Sequence, residues 1–527
     1  MNINLKEKYI LFVPVLVAFI FALIVTVSNE FPLSWDIYTH INYALAYLHS
    51  GITNTDYLLN APVGKTIGYP PLFHFVLIIF SSVAGSNFLS GARILQVVLV
   101  VANVLTIVYV ASKFHDGKTG LFAGLILISS FMFTRMFLPI PETLAMIFFT
   151  LAIYMYYKAT VESNYVCAVL AAILSLLTLL THFSSFVYLM VLLVVLMIIQ
   201  SFNLKNFSGV KYYVYTMIPV VLLGLIGLVG LLLVNSSHLS QVLSGMVSIV
   251  NNPFDLFMGQ VAMGLERYIK CVGVLSLIFG IVGLYYSFKK REFYFVSFWA
   301  LVAFLFTNLH WFGVPVYTFR LLLYLIVPLV ILGGYALSNL ADTFKTINRS
   351  YNRILVVAII ILSVMLCSIH LMDSSVTTFN AGTEQSTFHI APPTSEEQEV
   401  INWFKNEQTE NKSILTNNLY FGTVISSIDE IPIHYGFDIY TNKSLSKSST
   451  ESLNNEKIGY IVYDKSLIMK NQSDYESLDV RYVNGSFYPS YYFTKEITED
   501  NFNNIQLQST EKAFENQRFV VCKVIRS

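Results

Sequence analysis

Runs of roughly 18 or more apolar residues recur from Ile10 to about Met372, each long enough to cross a bilayer core as a helix. That repetition constrains the chain more than any motif in it. It predicts a polytopic α-helical membrane protein over this part. The composition agrees, with 55% apolar and only 12% charged residues. The candidate spans are 10–28, 91–112, 120–138, 143–157, 165–181, 183–199, 213–234, 269–287, 293–309, 319–340 and 354–372, about eleven in all. The first run lacks a small-residue cleavage site and reads as a retained span, not a signal peptide. Beyond Met372 the composition turns to that of a soluble domain. The formal net charge is zero, and nothing points to nucleic acid as a partner. Cys167, Cys271, Cys367 and Cys522 show no pairing or zinc spacing.

Loop charge sets the sidedness. The segment 71–85 holds an apolar run of about 14 residues, short for a 30 Å core and typical of an interfacial helix. If it does not cross, Lys6, Lys8, Lys113, Lys118, Lys158, Lys205, Lys211, Lys289, Lys290, Arg291, Lys345, Arg349 and Arg353 all face the cytoplasm. If it crosses, nearly all face outward, against the positive-inside rule. The first arrangement puts the N-terminus inside, makes 29–90 one long outer loop, and places the tail outside. Arg93, Arg135, Arg267 and Arg320 then lie at outer mouths of spans, against the rule. Each either snorkels to lipid headgroups or binds an anionic, lipid-borne substrate, for which a planar guanidinium is suited.

The domains expected are a membrane domain over 1–372, a Ser/Thr-rich linker over 373–394 and an extracytoplasmic α/β domain over 395–527. Thr394-Ser395-Glu396-Glu397 opens an amphipathic helix with Val400, Ile401, Trp403 and Phe404 on one face. Strand-like runs follow at 413–416, 459–463 and 519–525. The Asn-x-Ser triplets, at Asn411, Asn442, Asn471 and Asn484 among others, read as composition.

The polar residues with chemistry cluster in the outer segments. The stretch from Ser34 to His74 contains Asp36 and, four residues on, His40. If 36–50 is helical, Asp36, His40 and Tyr43 share a face, and an apolar side lies on the membrane surface. An interfacial carboxylate there can act as a base toward a hydroxyl or ligate a metal. It can also simply complement the helix dipole. Glu142 sits in the short outer turn after Arg135, fixed by Pro139 and Pro141. It offers a second carboxylate, or again an N-terminal helix acid. Asp36 and Glu142 together could bind a divalent cation, magnesium or manganese. His74, after Tyr69-Pro70-Pro71, and His182, between two spans, are either interface anchors or substrate contacts. Asp255 and Glu266 lie in the outer loop 235–268, Glu266 beside Arg267.

This ensemble resembles the GT-C superfamily of polyprenyl-phosphate-sugar glycosyltransferases. WDIYTHINYALAYLHSG is similar to the family's acidic surface helix in the first outer loop. GYPPLFH resembles its short second surface helix, and Arg135 with Pro141-Glu142 its second-loop Arg and acid. Phe319-Arg320 through Pro328 resembles its late Arg…Pro span. The resemblance covers 1–372 and implies a GT-C-like fold and transfer of a sugar from a polyprenyl-phosphate carrier on the outer face. The acceptor is a protein, lipid or glycan, and the surrounding membrane lipid is the other partner. By carry-over Asp36 is the base or metal ligand, Glu142 the second acid, and Arg320 the contact to the lipid phosphate. His40, His74, Arg93, Arg135, His182 and Glu266 complete the expected substrate-binding set. The tail also looks like the start of the oligosaccharyltransferase outer domain, but the Trp-Trp-Asp motif is missing. The corresponding stretch is Asn417-Asn418-Leu419-Tyr420-Phe421-Gly422. The protein mannosyltransferase or lipid-sugar-modifying branches therefore fit better. A lipid-linked-sugar flippase or other transporter is the alternative. Transporters gather ionisable residues near the midplane, whereas here they gather at one surface.

Overall fold

The computed structural model describes residues 11–34, 36–51, 53–234, 264–290, 293–314, 318–372, 393–407, 412–435, 457–465, 468–469, 480–483, 486–489, 497–498 and 510–525. Trp35, Asp255, positions 373–392 of the linker and the side chain of Arg267 lie outside this set. So do Asn411, Asn442, Asn471 and Asn484.

The first helix, α1 (Val13–Val27), starts at Pro14, whose fixed φ suits a first helical turn. The segment after α1 carries α2 (Asp36–Ser50), a hairpin of β1 (Thr55–Asp56) and β2 (Lys65–Thr66), and α3 (Leu72–Val83). With 12 residues, α3 is about 18 Å long at 1.5 Å per residue, well short of a hydrocarbon core. Next come α4 (Phe88–Phe114), α5 (Gly117–Ile128), the single turn α6 (Met132–Arg135), α7 (Pro141–Val161), α8 (Tyr165–Thr181), α9 (Phe183–Leu204) and α10 (Ser208–Val234). Further along the chain, α11 (Val274–Lys290), α12 (Tyr294–Thr307), α13 (Thr318–Ile347) and α14 (Arg349–Met372) complete the bundle. Every candidate span contains a helix, and six helices among the described residues are long and apolar enough to cross a membrane.

One span departs from expectation. The segment 120–138 is not a continuous helix, because α5 stops at Ile128. Ser129 donates its hydroxyl to the Ile126 carbonyl at 2.6 Å, and Ser130 Oγ accepts from the Met132 amide at 3.1 Å. These side-chain bonds compete with the backbone ladder and re-aim the chain into α6, which ends at Arg135.

The bundle is organised around α13, which is buried from Leu321 to Ser338 apart from Leu329. Small residues allow the close approach that membrane packing needs. A Cβ at Gly283 of α11 would strike the Leu332 carbonyl, and one at Gly334 would strike Thr119 of α5. At the N-terminal end of α5, Asp116 caps the helix, accepting from the Thr119 amide at 2.8 Å and from the Ser338 hydroxyl of α13 at 3.0 Å.

The tail forms an α/β domain. Helix α15 (Ser395–Asn406) opens with a full capping box between Thr394 and Glu397 and buries Val400, Ile401 and Phe404. It is followed by β3 (Ser413–Thr416), α16 (Leu419–Asp429), β4 (Ile433–His434), β5 (Ile458–Asp464), β6 (Thr510–Glu515) and β7 (Phe519–Val524). The sheet order is β6-β7-β5-β3-β4, parallel among β4, β3 and β5 and antiparallel beyond. Arg518 pins its end, bonding Asp464 at 2.8 Å and Glu397 at 3.1 Å, with all three buried. Asn418 donates to Asp464 at 2.9 Å and caps α16 at the Phe421 amide. The stretch 417–422 is thus buried in the domain.

This domain and the loop after α1 share one core. Ile37, Ile41 and Leu45 of α2 pack with Phe73 and Leu77 of α3 and with Phe421, Val424 and Ile425 of α16. The loop also extends the sheet edge. Ile433 donates to the Leu58 carbonyl at 2.7 Å, and Ala61 donates to the Ile433 carbonyl at 2.9 Å. Asp36 is therefore carried on an element held both by the bundle and by the tail.

Candidate active site

Asp36 occupies the first turn of α2, half-buried, with its amide donating to Ser34 Oγ at 3.2 Å. Burial pushes its carboxyl above the ordinary range, and the positive charges of Arg320 and then Arg135 pull it back. Glu142 also acts on it, so the two acids occupy one electrostatic site. Glu142 lies in the first turn of α7, behind Pro141, and accepts from Arg135 Nη2 at 2.6 Å with both side chains buried. The broken span explains this pair, because α6 delivers Arg135 to the head of α7. Arg320 and His182 also act on Glu142.

His182 caps α9, its Nδ1 accepting from the Ser185 amide at 3.3 Å and lying 2.6 Å from Ser185 Oγ. Ser185 Oγ is in turn 2.6 Å from the Tyr324 hydroxyl. Tyr324 follows Arg320 by one helical turn on α13. Burial lowers the His182 imidazole to about 4, opposed by the charge of Glu142, so it is neutral near pH 7. His40 and His74 form a second pair, Nδ1 to Nε2 at 3.1 Å. Both are pushed down by burial, His74 to about 3, so one neutral ring donates and the other accepts. Tyr69 links the groups. Its ring meets His40 edge-on at 4.8 Å and stacks on His182 at 6.5 Å. Its hydroxyl is pushed up to about 12, by burial and by the Asp36 charge, with Arg320 opposing.

Two of the expected residues stand elsewhere. Arg93 donates Nη2 to the Thr26 carbonyl at 2.8 Å, tying down the C-terminal end of α1, and Gln96 reaches Thr26 Oγ1 beside it. Glu266 is exposed on a short 3₁₀ turn. Neither appears among the main charges acting on Asp36 or Glu142. Lys65, Tyr69, Ser185 and Tyr324 join the site without having been named for it. Their signals were legible: Lys65 is a cation in the same polar stretch as Asp36, Tyr324 is at i+4 from Arg320, and Ser185 is at i+3 from His182.

The described residues show no assembled ligand set for the expected divalent cation. Glu142 is committed to Arg135, the charges acting most strongly on Asp36 are arginines, and no three His, Cys, Asp or Glu side chains converge as ligands among the described residues. Chemically, the arrangement sets buried arginines beside two carboxylates at one end of the bundle, where an anion can be held next to an acid.

No family model matches the chain, and no curated protein matches it. Solved structures do. ArnT from Cupriavidus metallidurans bound to undecaprenyl phosphate superposes with a TM-score of 0.59 at 13% identity, over 99% of this chain and 98% of that one. The archaeal oligosaccharyltransferase AglB from Archaeoglobus fulgidus, in complex with an inhibitory peptide and a dolichol-phosphate, gives 0.58 at 12%, over 88% of this chain and 70% of its own. A second AglB structure, a complex with zinc and sulfate, gives 0.58 at 13%, over 87% and 68%. The chain is thus a multi-pass membrane protein with its polar site at one end of a helical bundle. Its fold is the GT-C fold, as the sequence resemblance implied.

Proposed function

We propose that the chain is a membrane glycosyltransferase that moves a sugar from a polyprenyl-phosphate carrier to a hydroxyl acceptor on the outer face. The observation that carries this reading is the joining of Asp36, Glu142, Arg135, His182 and Arg320 in one site at the head of α13. Asp36 takes the proton of the acceptor hydroxyl, the acceptor oxygen forms its bond to the sugar's anomeric carbon, and the bond from that carbon to the phosphate oxygen breaks. The phosphate leaves as an anion, and Arg320 stabilises its charge as it develops. Glu142, locked to Arg135, acts electrostatically and orients the site.

The sidedness follows from loop charge, with the N-terminus cytoplasmic and the tail domain outside. Outside the cell no nucleotide-sugar pool exists, so a lipid must carry the sugar. The use of Asn417 and Asn418 in the domain's own scaffold favours a lipid, glycan or protein hydroxyl over transfer to an asparagine amide. Supplying the purified protein with polyprenyl-phosphate sugars and a panel of hydroxyl acceptors tests the reading. Transfer that depends on Asp36 is the expected result. Movement of the carrier across vesicles without transfer would instead establish a flippase.

A further inference from the structure

The tail domain holds a cavity that the transfer chemistry above does not use. β7 stays in register with β6 out to Val524 opposite Thr510, but its register with β5 ends at Lys523 opposite Tyr460. On the other side of β5, Ser413 and Ile414 of β3 face Ile458 and Tyr460, so Gly459 is an extra residue with no partner on β3. A bulge of this kind bends its strand and disrupts the ladder locally. β5 and β7 part beyond Tyr460, and a cavity of about 350 Å³ opens at their ends, lined by Lys412, Lys457, Gly459, Glu511, Lys523 and Ile525 among others.

The cations are built into this opening in different ways. A Cβ at Gly459 would strike the Lys412 stem. The bare glycine lets that stem cross β5, with Nζ 5.3 Å from the centroid of the Tyr460 ring. Lys457 takes φ +57°, and its carbonyl accepts from the Ser413 amide at 2.9 Å as the chain turns into β5. Lys523 bonds Glu407 Oε1 at 3.0 Å, and the Tyr460 hydroxyl donates to the same oxygen at 3.1 Å. Glu407 is thereby occupied, whereas Lys412 and Lys457 make no ion pair within 4 Å among the described residues. Set against Glu407 and Glu511, the three lysines leave one positive charge over.

The cavity is remote from Asp36. α2 and α16 run side by side in one direction, with Asn42 donating to the Thr423 carbonyl at 3.4 Å and His49 lying 3.0 Å from Glu430. Asp36 is therefore level with the start of α16, at the C-terminal ends of β3 and β5. The cavity lies at their N-terminal ends, roughly 20 Å off along the length of β5 at about 3.3 Å per residue.

We propose that this cavity binds a carboxylate-bearing sugar, and that the tail domain uses it to hold an acidic glycan acceptor whose other end reaches the catalytic site. The sugar site stands on the cavity itself, and its use for an acceptor rests on the glycosyltransferase reading. One excess positive charge matches a carboxylate, whereas a phosphate monoester brings about −1.5 to −2. Ile458, Val524 and Ile525 supply an apolar wall for the C–H face of a sugar ring, which a bare anion would leave unused. The volume lies near the lower end of the roughly 300–1,000 Å³ typical of small-molecule sites, which suits a sugar unit and not a folded protein segment.

The test measures binding of an oligogalacturonate, the matching neutral galactose oligomer, inorganic phosphate and oligoglutamate to the purified full chain, with thermal stability checked in the same detergent. Oligogalacturonate is expected to bind and the neutral oligomer is not. Lys412→Met combined with Lys457→Met should weaken oligogalacturonate binding about tenfold or more, with Tm held because neither lysine carries an ion pair. Arginine at both positions should keep most of the affinity. Gly459→Ala, which displaces the Lys412 stem, should weaken binding without removing a charge, a loss that a diffuse charge effect would not produce. Asp36→Asn should bind oligogalacturonate as wild type does. Equal binding by wild type and the paired Met variant overturns the inference. So does phosphate or oligoglutamate binding as tightly as oligogalacturonate, which would mark a free-anion site or an acidic-peptide surface. Lysine-dependent binding without any sugar transfer by wild type leaves this site standing and removes the transferase reading instead. Transfer to neutral acceptors with no oligogalacturonate binding does the reverse.

Discussion

Replacing Asp36 by Asn separates a reacting acid from a structural one. The substitution keeps the volume and the amide bond to Ser34 and removes only the charge. If Asp36 takes the acceptor's proton, its loss lowers the rate about 10²–10⁴-fold, or roughly 3–5 kcal/mol of transition-state stabilisation at 1.36 kcal/mol per decade. Stability should respond differently. Burial holds the folded-state pKa above the unfolded value. The stability this contributes is complete below the unfolded carboxylate pKa and is lost as pH rises through the folded one. At neutral pH the charge is therefore a net burden that Asn relieves. Against this, Asn forfeits the ~0.3–1 kcal/mol that an N-terminal carboxylate gains from the helix dipole. The two oppose, so Tm should hold while transfer collapses. Single-turnover transfer and thermal unfolding, measured on the same detergent sample, give both readings. The acid limb of the wild-type pH profile should lie above the ordinary carboxylate range and vanish from the residual activity of the variant. Near wild-type transfer by folded Asp36→Asn would refute the assignment, and a large fall in Tm with the activity would return Asp36 to the scaffold.

Arg320→Lys keeps the charge but loses the bidentate fork, so donor affinity should fall several-fold with the fold intact, and unchanged affinity would leave Arg320 a headgroup anchor. Arg135→Gln strands the buried Glu142 carboxylate and should destabilise by about 3–5 kcal/mol, read as a fall in Tm far exceeding that of Asp36→Asn. Glu511 is exposed on β6, and all four native cysteines are buried. Glu511→Cys should accordingly be labelled by an impermeant thiol reagent in intact cells, and labelling only after lysis would reverse the proposed sidedness.

The fold class was legible because two periodicities carry it. Apolar run length marks the helices, and the Thr394–Glu397 box with short alternating runs marks the tail's helix and strands. The break after Ile128 was not legible, because an apolar run continues through Ser129 and Ser130 and only side-chain bonding ends the helix. In the site, Asp36, Glu142, Arg135, His182 and Arg320 could be named from their place at outer span ends. Arg93 has the same placement and a different task, capping α1. Sequence position gives the depth of a side chain in the membrane but not the direction it faces. The His40–His74 pair, by contrast, depends on how α3 lies against α2, which no local pattern specifies.

That dependence bears on how the site is held. Asp36 comes from the loop after α1, Glu142 and Arg320 from the bundle, and nothing covalent fixes one against the other beyond the chain itself. The tail domain supplies the constraint. Packed on α2 through α16 and joined to the loop at Ile433, it buries Ile37, Ile41 and Leu45 in a common core. A base and an anion-binding arginine must keep their separation within a fraction of an ångström for proton transfer and bond cleavage to coincide. The loop could not hold that geometry alone, since a two-stranded hairpin is marginal in water. The tail's five-stranded sheet, closed by the buried Arg518–Asp464–Glu397 cluster, is rigid enough to do so. What it contributes to the site is thus to fix Asp36 over the bundle.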